Sequence, residues 1–148
     1  MTHEEKALQA FTDGANCAQA VLLAFGDELG MDEKTACRLA SSFGGGIGRL
    51  REVCGAVSGM MMVYGLLKGY DDLRVPEAKK THYANVQALA ASFREENGSI
   101  ICRELLSLPE NGQIDPNPTP RDAKFYHSRP CAAFVASAAR ILDEALKN

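Results

Sequence analysis

The residues of this chain with the most reactive side chains are five cysteines, at positions 17, 37, 54, 102 and 131. A cysteine in its thiolate form is a nucleophile, a redox group and a metal ligand. No two of them form a C-x-x-C pair, which argues against a thioredoxin-type redox motif and against the usual zinc-knuckle spacing. Their odd number argues against a purely structural disulfide framework. Core packing is the simplest alternative role for each of them, because free cysteine is among the most often buried residue types.

Four of the cysteines are predicted to lie at or near the start of a helix; these are Cys17, Cys54, Cys102 and Cys131. Asn16, Ser99 and Ser128 are the predicted N-caps of three of these helices, and Cys102 is expected at the third position of its helix. Unpaired backbone amides and the helix dipole stabilise an anion at this end, so a thiolate forms more easily there. Cys37 is expected in the middle of a helix, and we set it aside.

A glycine-rich loop and a glycine-bearing helix flank Cys54. Residues 44–46 and 48 are glycines, and Gly55 and Gly59 lie one turn apart on the apolar helix that follows. Glycine adopts backbone angles that a side chain forbids, and it lets other groups approach closely. Close helix packing is one explanation of this pattern; room for a second thiol or a cofactor beside Cys54 is the other. The glycines predicted to serve such a cofactor site are Gly45, Gly46, Gly55 and Gly59.

Two kinds of site are consistent with these cysteines. In the first, pairs of thiols meet across helices and cycle between dithiol and disulfide, which needs a thiolate with a suitable pKa and a resolving partner. In the second, four thiolates converge on a zinc ion or an iron–sulfur cluster. The missing local pairs make a zinc finger the less favoured form of the second kind. A scaffold domain with core cysteines is the third possibility.

The elements that must position these residues are helices. Apolar residues recur at the 3.6-residue period, for example in residues 18–29 and 134–142. No stretch shows the alternation typical of a β-strand. We predict one all-α domain over residues 1–148, a bundle of about six helices. Residues 109–120 are rich in proline and asparagine, which predicts an irregular surface loop.

Composition and charge narrow the class of partner. A chain of 148 residues with a net charge of -3 has no basic run for nucleic acid. The charged N-terminus is unlike a signal peptide, and the longest apolar stretch, residues 60–67, is too short to span a bilayer. We therefore expect a cytoplasmic protein without membrane insertion. The apolar glycine-bearing helix suits a homodimer interface as well as a core, so the oligomeric state stays open.

Several motifs together resemble a known family. They are NCAQAV at residues 16–21, FGGG at 43–46, CGAVSG at 54–59, CREL at 102–105 and the late Cys131. This combination resembles the C_GCAxxG_C_C family, whose members are described as redox-active proteins, and the resemblance covers nearly the whole chain. The four recurrent cysteines of that family correspond to Cys17, Cys54, Cys102 and Cys131, with Cys37 an additional one.

The resemblance implies a thiol-based redox protein with an unidentified redox partner. We predict reversible dithiol and disulfide chemistry centred on Cys54, with Cys17, Cys102 and Cys131 as its partner thiols. A thiol oxidoreductase is one form of this function. A related domain occurs with an iron–sulfur cluster in split-Soret-type cytochromes, so the alternative is an electron-transfer or sensor protein that holds a cluster or metal on the same four cysteines. The chain lacks the C-x-x-C-H motif for covalent haem.

Overall fold

The computed structural model describes residues 1–109 and 114–147, and within them the secondary structure is helical. The predicted all-α class is confirmed: these residues form nine α-helices, with no β-strand among them. Six of the nine have at least seven residues, so the predicted number of about six holds only for the longer helices. The helices are α1 (His3–Thr12), α2 (Cys17–Ala24), α3 (Gly26–Leu29), α4 (Glu33–Ala40), α5 (Gly55–Lys68), α6 (Pro76–Asn97), α7 (Cys102–Leu105), α8 (Ala123–Ser128) and α9 (Cys131–Leu146).

Local capping explains where the first helices begin. The Thr2 hydroxyl accepts a hydrogen bond from the Glu5 amide at 3.0 Å, and the Glu5 carboxylate accepts one from the Thr2 amide at 2.9 Å. Asn16 and Gln19 form the same reciprocal arrangement at the start of α2, at 2.8 and 3.0 Å. Each pair satisfies two backbone amides that a helix otherwise leaves unpaired. The predicted cap at Asn16, and with it Cys17 as the first residue of α2, is confirmed.

Two predicted helix boundaries are wrong. Ser99 does not cap the helix of Cys102, because its hydroxyl accepts a hydrogen bond from the Ile101 amide and donates one to Glu104. The helix α7 therefore starts at Cys102 itself, which is its first residue and not its third. Ser128 ends α8 and does not cap α9; the residue at the N-cap of α9 is Pro130.

The core forms where α2 packs against α1, α5 and α9. Gly59 brings α5 close to α2, since a Cβ at Gly59 would lie 2.9 Å from the Ala18 carbonyl oxygen and 3.1 Å from the Val21 Cβ. The opposite ends of the chain also meet here. The His3 ring stacks on Phe25 with its centroid 4.0 Å away, and His3 Nδ1 lies 2.7 Å from an oxygen of Asp143 in α9.

The predicted loop over residues 109–120 is irregular wherever the structure describes it, and residues 110–113 lie outside the described residues. Arg49 holds this loop against the bundle by donating hydrogen bonds to the Asp115 carbonyl oxygen and the Thr119 hydroxyl, both at 3.1 Å. None of the helices in the described residues is long and apolar enough to cross a membrane.

Candidate functional site

Four helix starts meet at one cavity of about 410 Å³. Cys17, Cys102 and Cys131 are the first residues of α2, α7 and α9, and Cys54 is the N-cap of α5. All four cysteines line the cavity, although they come from distant parts of the chain. The predicted placement of these cysteines at helix starts is confirmed, and the fold brings them together. Cys37 lies in α4 and lines a different surface groove.

The glycine loop reaches the cavity through a left-handed turn. Five consecutive residues, 45–49, have φ between 54° and 71°, and Arg51 follows with φ 64°. Hydrogen bonds from the amides of Arg51 and Glu52 to the carbonyl oxygens of Gly45 and Gly46, at 3.1 and 2.9 Å, close this turn. A residue other than glycine pays about 1–2 kcal/mol in this conformation. Such strain persists only where the surrounding structure holds it in place, as it does here at the cavity wall.

Gly46 is the point at which this turn touches a cysteine. A Cβ at Gly46 would lie 2.7 Å from the Cys102 Cβ and 2.7 Å from the Glu52 amide nitrogen. Gly55 has a related role, since its Cβ would lie 2.9 Å from the Phe43 carbonyl oxygen and 3.1 Å from the Cys17 Cβ. Both glycines therefore make room for cysteine-bearing backbone.

The four glycines predicted to serve a cofactor are divided between two environments. Gly45, Gly46 and Gly55 line the cavity, whereas the closest contacts of Gly59 are with α2. A cofactor role for any of them stays a prediction.

A short antiparallel pairing joins the segments before α5 and α7. Val53 and Ile101 form an isolated β-bridge. The Cys54 amide donates to the Ile100 carbonyl oxygen at 2.8 Å, and the Cys102 amide donates to the Glu52 carbonyl oxygen at 2.6 Å. Because both cysteines donate across the same pairing, their backbones are fixed relative to each other.

Cys17 and Cys131 form the more accessible pair of the site. Each is partly exposed, and the two thiols interact through a hydrogen bond that shifts the pKa of both. This hydrogen bond is the main reason that the pKa of Cys131 falls to about 7, and the positive charges of Arg129, Arg51 and Arg121 lower it further. The same hydrogen bond, followed by burial, raises the pKa of Cys17 well above its usual value. Cys131 is therefore the more acidic thiol of the pair, and Cys17 holds its proton more tightly.

Cys54 and Cys102 are more deeply placed, with exposed fractions of 4% and 8%. Burial raises the pKa of Cys54 to about 12, although the nearby amides of Ala56 and Val57 oppose this shift. Cys54 is therefore a neutral thiol at physiological pH. Arg51 donates a hydrogen bond from Nη1 to the Cys102 sulfur at 3.6 Å.

Four arginines line the cavity together with the cysteines: Arg49, Arg51, Arg121 and Arg129. Arg121 is held in place by hydrogen bonds from its two Nη atoms to the carbonyl oxygens of Phe11 and Ala15, at 2.9 and 3.0 Å. Its guanidinium also lies over the Phe11 ring, 4.4 Å from the centroid. These arginines were not among the site residues predicted from the sequence. Two features of the sequence could have indicated them: Arg49 and Arg51 follow the glycine loop, and Arg129 lies just before Cys131.

The cavity wall also has a large apolar part, which includes Phe11, Leu105, Leu106, Phe125 and Phe134, beside the polar residues Asn16, Ser41 and Thr119. Pro116 and Pro118 of the long loop close one side. Over residues 1–109 and 114–147, no group of three or more Cys, His, Asp or Glu side chains is arranged to hold a metal ion. The arrangement combines thiols, fixed positive charge and apolar surface in one small cavity.

A comparison with protein families matches residues 15–145 to the family described as "Putative redox-active protein (C_GCAxxG_C_C)". The match spans most of the chain and all five cysteines. The chain belongs to the C_GCAxxG_C_C family. This confirms the resemblance drawn from the sequence motifs. Comparisons with curated proteins and with solved structures gave no match. Within the C_GCAxxG_C_C domain, the matched region contains the glycine loop, the four helix-start cysteines and all four cavity arginines.

Proposed function

We propose that this protein carries out reversible thiol–disulfide exchange, with Cys131 as the attacking thiolate and Cys17 as the resolving thiol. The observation that carries the proposal is that these two side chains, from the first residues of α2 and α9, meet at one cavity wall and interact through a hydrogen bond. Membership in a family described as redox-active supports the same class of chemistry. Both residues are partly exposed and line the cavity, which supports access of a second sulfur compound to the pair.

The exchange consists of two substitutions at sulfur. The Cys131 thiolate attacks one sulfur of a disulfide RSSR, forms a mixed disulfide with one half and releases the other half as RS⁻, which takes up a proton from solvent. Cys17 then loses its proton to solvent and attacks the Cys131 sulfur of the mixed disulfide, which releases the second RS⁻. The net reaction converts two protein thiols and RSSR into one protein disulfide and two RSH. The disulfide RSSR is the oxidant, and the reverse sequence makes the protein the oxidant.

The choice of Cys131 departs from the prediction that centred the chemistry on Cys54. An attacking thiol works best when its pKa is close to the ambient pH. The pKa of Cys131 is about 7 and that of Cys54 is about 12, so only the first is extensively ionised at neutral pH. We assign Cys54 and Cys102 to a second, more deeply buried pair. The central role of Cys54 stays a prediction that the next experiment tests.

The test is oxidation of the reduced full-length protein by bis(hydroxyethyl) disulfide, followed by thiol titration and disulfide mapping by mass spectrometry. We expect a Cys17–Cys131 disulfide in the wild type and a trapped mixed disulfide on Cys131 in the Cys17→Ser variant. Cys131→Ser should slow the first step strongly. Cys37→Ser is the matched control and should behave as the wild type, because Cys37 lines a different groove. A first mixed disulfide on Cys54 would refute the assignment.

The iron–sulfur or metal alternative also stays a prediction. The observation in its favour is that Cys17, Cys54, Cys102 and Cys131 line the same cavity. An absorption spectrum with metal analysis on protein purified without oxygen tests it. Iron with sulfur-to-metal absorption bands, both lost in Cys54→Ser, would replace thiol exchange as the leading function.

A further inference from the structure

We propose that the exchange partner is a small organic anion, a carboxylate-bearing thiol of low molecular weight or its disulfide, held in the cavity by arginine side chains. This inference rests on the proposed function, because it names the substrate class of the same site. It depends on three features of the cavity: its charge, its apolar wall and its size.

The first feature is positive charge without matching negative charge. Arg49, Arg51, Arg121 and Arg129 line the cavity, and no Asp or Glu of the described residues does. Among the described residues, Asp115 is the acidic side chain that forms an ion pair with one of these arginines, at 3.9 Å from Arg49. One ionised thiol, Cys131, offsets a further charge. The cavity therefore favours an anionic ligand.

The second feature is that uncharged oxygen atoms hold Arg121 and Arg129 in place. Arg121 donates to two backbone carbonyl oxygens, and Arg129 donates to the Thr119 hydroxyl at 3.5 Å. Arg51 donates to the Cys102 sulfur. The carbonyl and hydroxyl oxygens fix the guanidinium groups of Arg121 and Arg129 without removing their charge. A guanidinium has five N–H donors in a planar fork that matches a carboxylate, so donors are left over for a ligand.

The third feature is the apolar wall. Phe11, Phe125 and Phe134 are buried side chains that contribute their rings to it, and Leu105 and Leu106 extend it. A bare inorganic anion would leave this surface without a partner. The volume of about 410 Å³ lies within the range of about 300–1,000 Å³ that is typical of small-molecule sites. An organic anion whose sulfur reaches Cys131 uses the charge, the apolar wall and the thiol pair together.

The first experiment compares three disulfides of similar size and different charge on the reduced full-length protein. Dithiodipropionate is anionic, bis(hydroxyethyl) disulfide is neutral and cystamine is cationic. Each rate of thiol loss is divided by the rate of the same disulfide with free dithiothreitol, which removes intrinsic reactivity. We expect dithiodipropionate to exceed cystamine by at least about tenfold, and the ratio to shrink at high ionic strength. A ratio near one at low ionic strength would overturn the inference and leave the proposed function intact.

The second experiment measures binding without chemistry. Suberate is dithiodipropionate with its disulfide replaced by two methylene groups, so it cannot exchange with a thiol. We expect calorimetry to show saturable binding that weakens by about tenfold in Arg129→Gln. The matched control is Arg74→Gln, whose side chain is 92% exposed outside the cavity, and it should bind like the wild type.

Loss of Arg129 also makes the Cys131 thiolate less stable. With less thiolate at Cys131, the variant would repel the suberate dianion less, so this effect alone would strengthen binding. Weaker binding in Arg129→Gln would therefore come from the loss of the guanidinium. Wild-type protein that fails to bind suberate would overturn the inference even if thiol exchange proceeds. Suberate binding without exchange of any of the three disulfides would instead overturn the proposed function, and with it the role of the anion as an exchange partner.

Discussion

Cys17 and Cys131 each begin a helix, and their side chains share one hydrogen bond across the cavity wall. Their interaction raises the pKa of Cys17 and lowers that of Cys131, so the two thiols differ in acidity. Two helix starts packed side by side therefore give two chemically identical residues opposite properties. The arginines around the pair reinforce this difference by favouring the charge on Cys131.

The acidity of Cys131 gives a first prediction. Alkylation of Cys131 by iodoacetamide should reach half its maximal rate near pH 7, and Cys17→Ala should move this midpoint to higher pH because the hydrogen bond to the thiolate is lost. Peptide mass spectrometry of quenched samples measures the rate at each cysteine. Cys37→Ala is the control and should leave the midpoint where it is. If the midpoint is unchanged in Cys17→Ala, the hydrogen bond with Cys17 is not the cause of the low pKa of Cys131.

Burial of Cys54 gives a second prediction, on stability. The folded-state pKa of about 12 lies above the ordinary value of 9.0, so the folded protein holds this proton over a range in which the unfolded chain releases it. The free energy of unfolding should therefore fall as the pH rises above 9. Cys54→Ala should show a shallower decline. Urea unfolding of the reduced protein at several alkaline pH values measures both slopes, and equal slopes would contradict the assigned environment.

The left-handed turn gives a third prediction. Gly46→Ala should lower the free energy of unfolding by more than about 2 kcal/mol, because it adds a positive-φ penalty to a clash with the Cys102 Cβ. Gly48→Ala is the matched control: its φ is 54°, yet a Cβ there would meet nothing within 4 Å. It should cost only the conformational part, about 1 kcal/mol. Urea unfolding of both variants isolates the crowding at Gly46 by the Cys102 Cβ and the backbone of Arg51 and Glu52, and equal costs would show that no such crowding exists.

Helix α5 gives a fourth prediction, with both variants in one helix. Gly59→Ala should lower the melting temperature, because the added methyl group would press on the Ala18 carbonyl oxygen at 2.9 Å. Gly65→Ala has nothing within 4 Å of the new Cβ and should stabilise the helix by up to about 1 kcal/mol. Calorimetric melting curves of the two variants should therefore shift in opposite directions. A rise in both would mean that α2 and α5 are packed less closely than the structure shows.

The parts of the fold that were predictable depend on neighbours in the sequence. The caps at Thr2 and Asn16 each involve a residue three positions away, so the starts of α1 and α2 could be inferred from the sequence. Helix starts also account for the choice of four cysteines among five. The resemblance to the family could be recognised because its motifs surround those same helix starts.

The parts that were not predictable depend on distant residues or on strain. Ile47 and Arg49 adopt a left-handed conformation that their residue types disfavour, and only the surrounding structure maintains it. Arg121 is held at the cavity by hydrogen bonds to the carbonyl oxygens of Phe11 and Ala15, near the end of α1. No local sequence pattern predicts this contact, because the residues are more than 100 positions apart. The start of α7 depends on the pairing of residues 52–54 with 100–102, which moved Cys102 from the expected third position to the first.

Helix α5 places the connection between α5 and α6 far from the cysteines that line the cavity. The helix begins beside Cys54 at the cavity and runs for 14 residues, so its far end is roughly 21 Å away. The connection to α6 starts there and includes Leu73, whose side chain is 79% exposed. A reporter peptide or an immobilisation tag inserted into residues 70–74 would be displaced from the thiols along the helix axis. Electrodes or sensor surfaces coupled through this connection would then attach about one helix length away from Cys54.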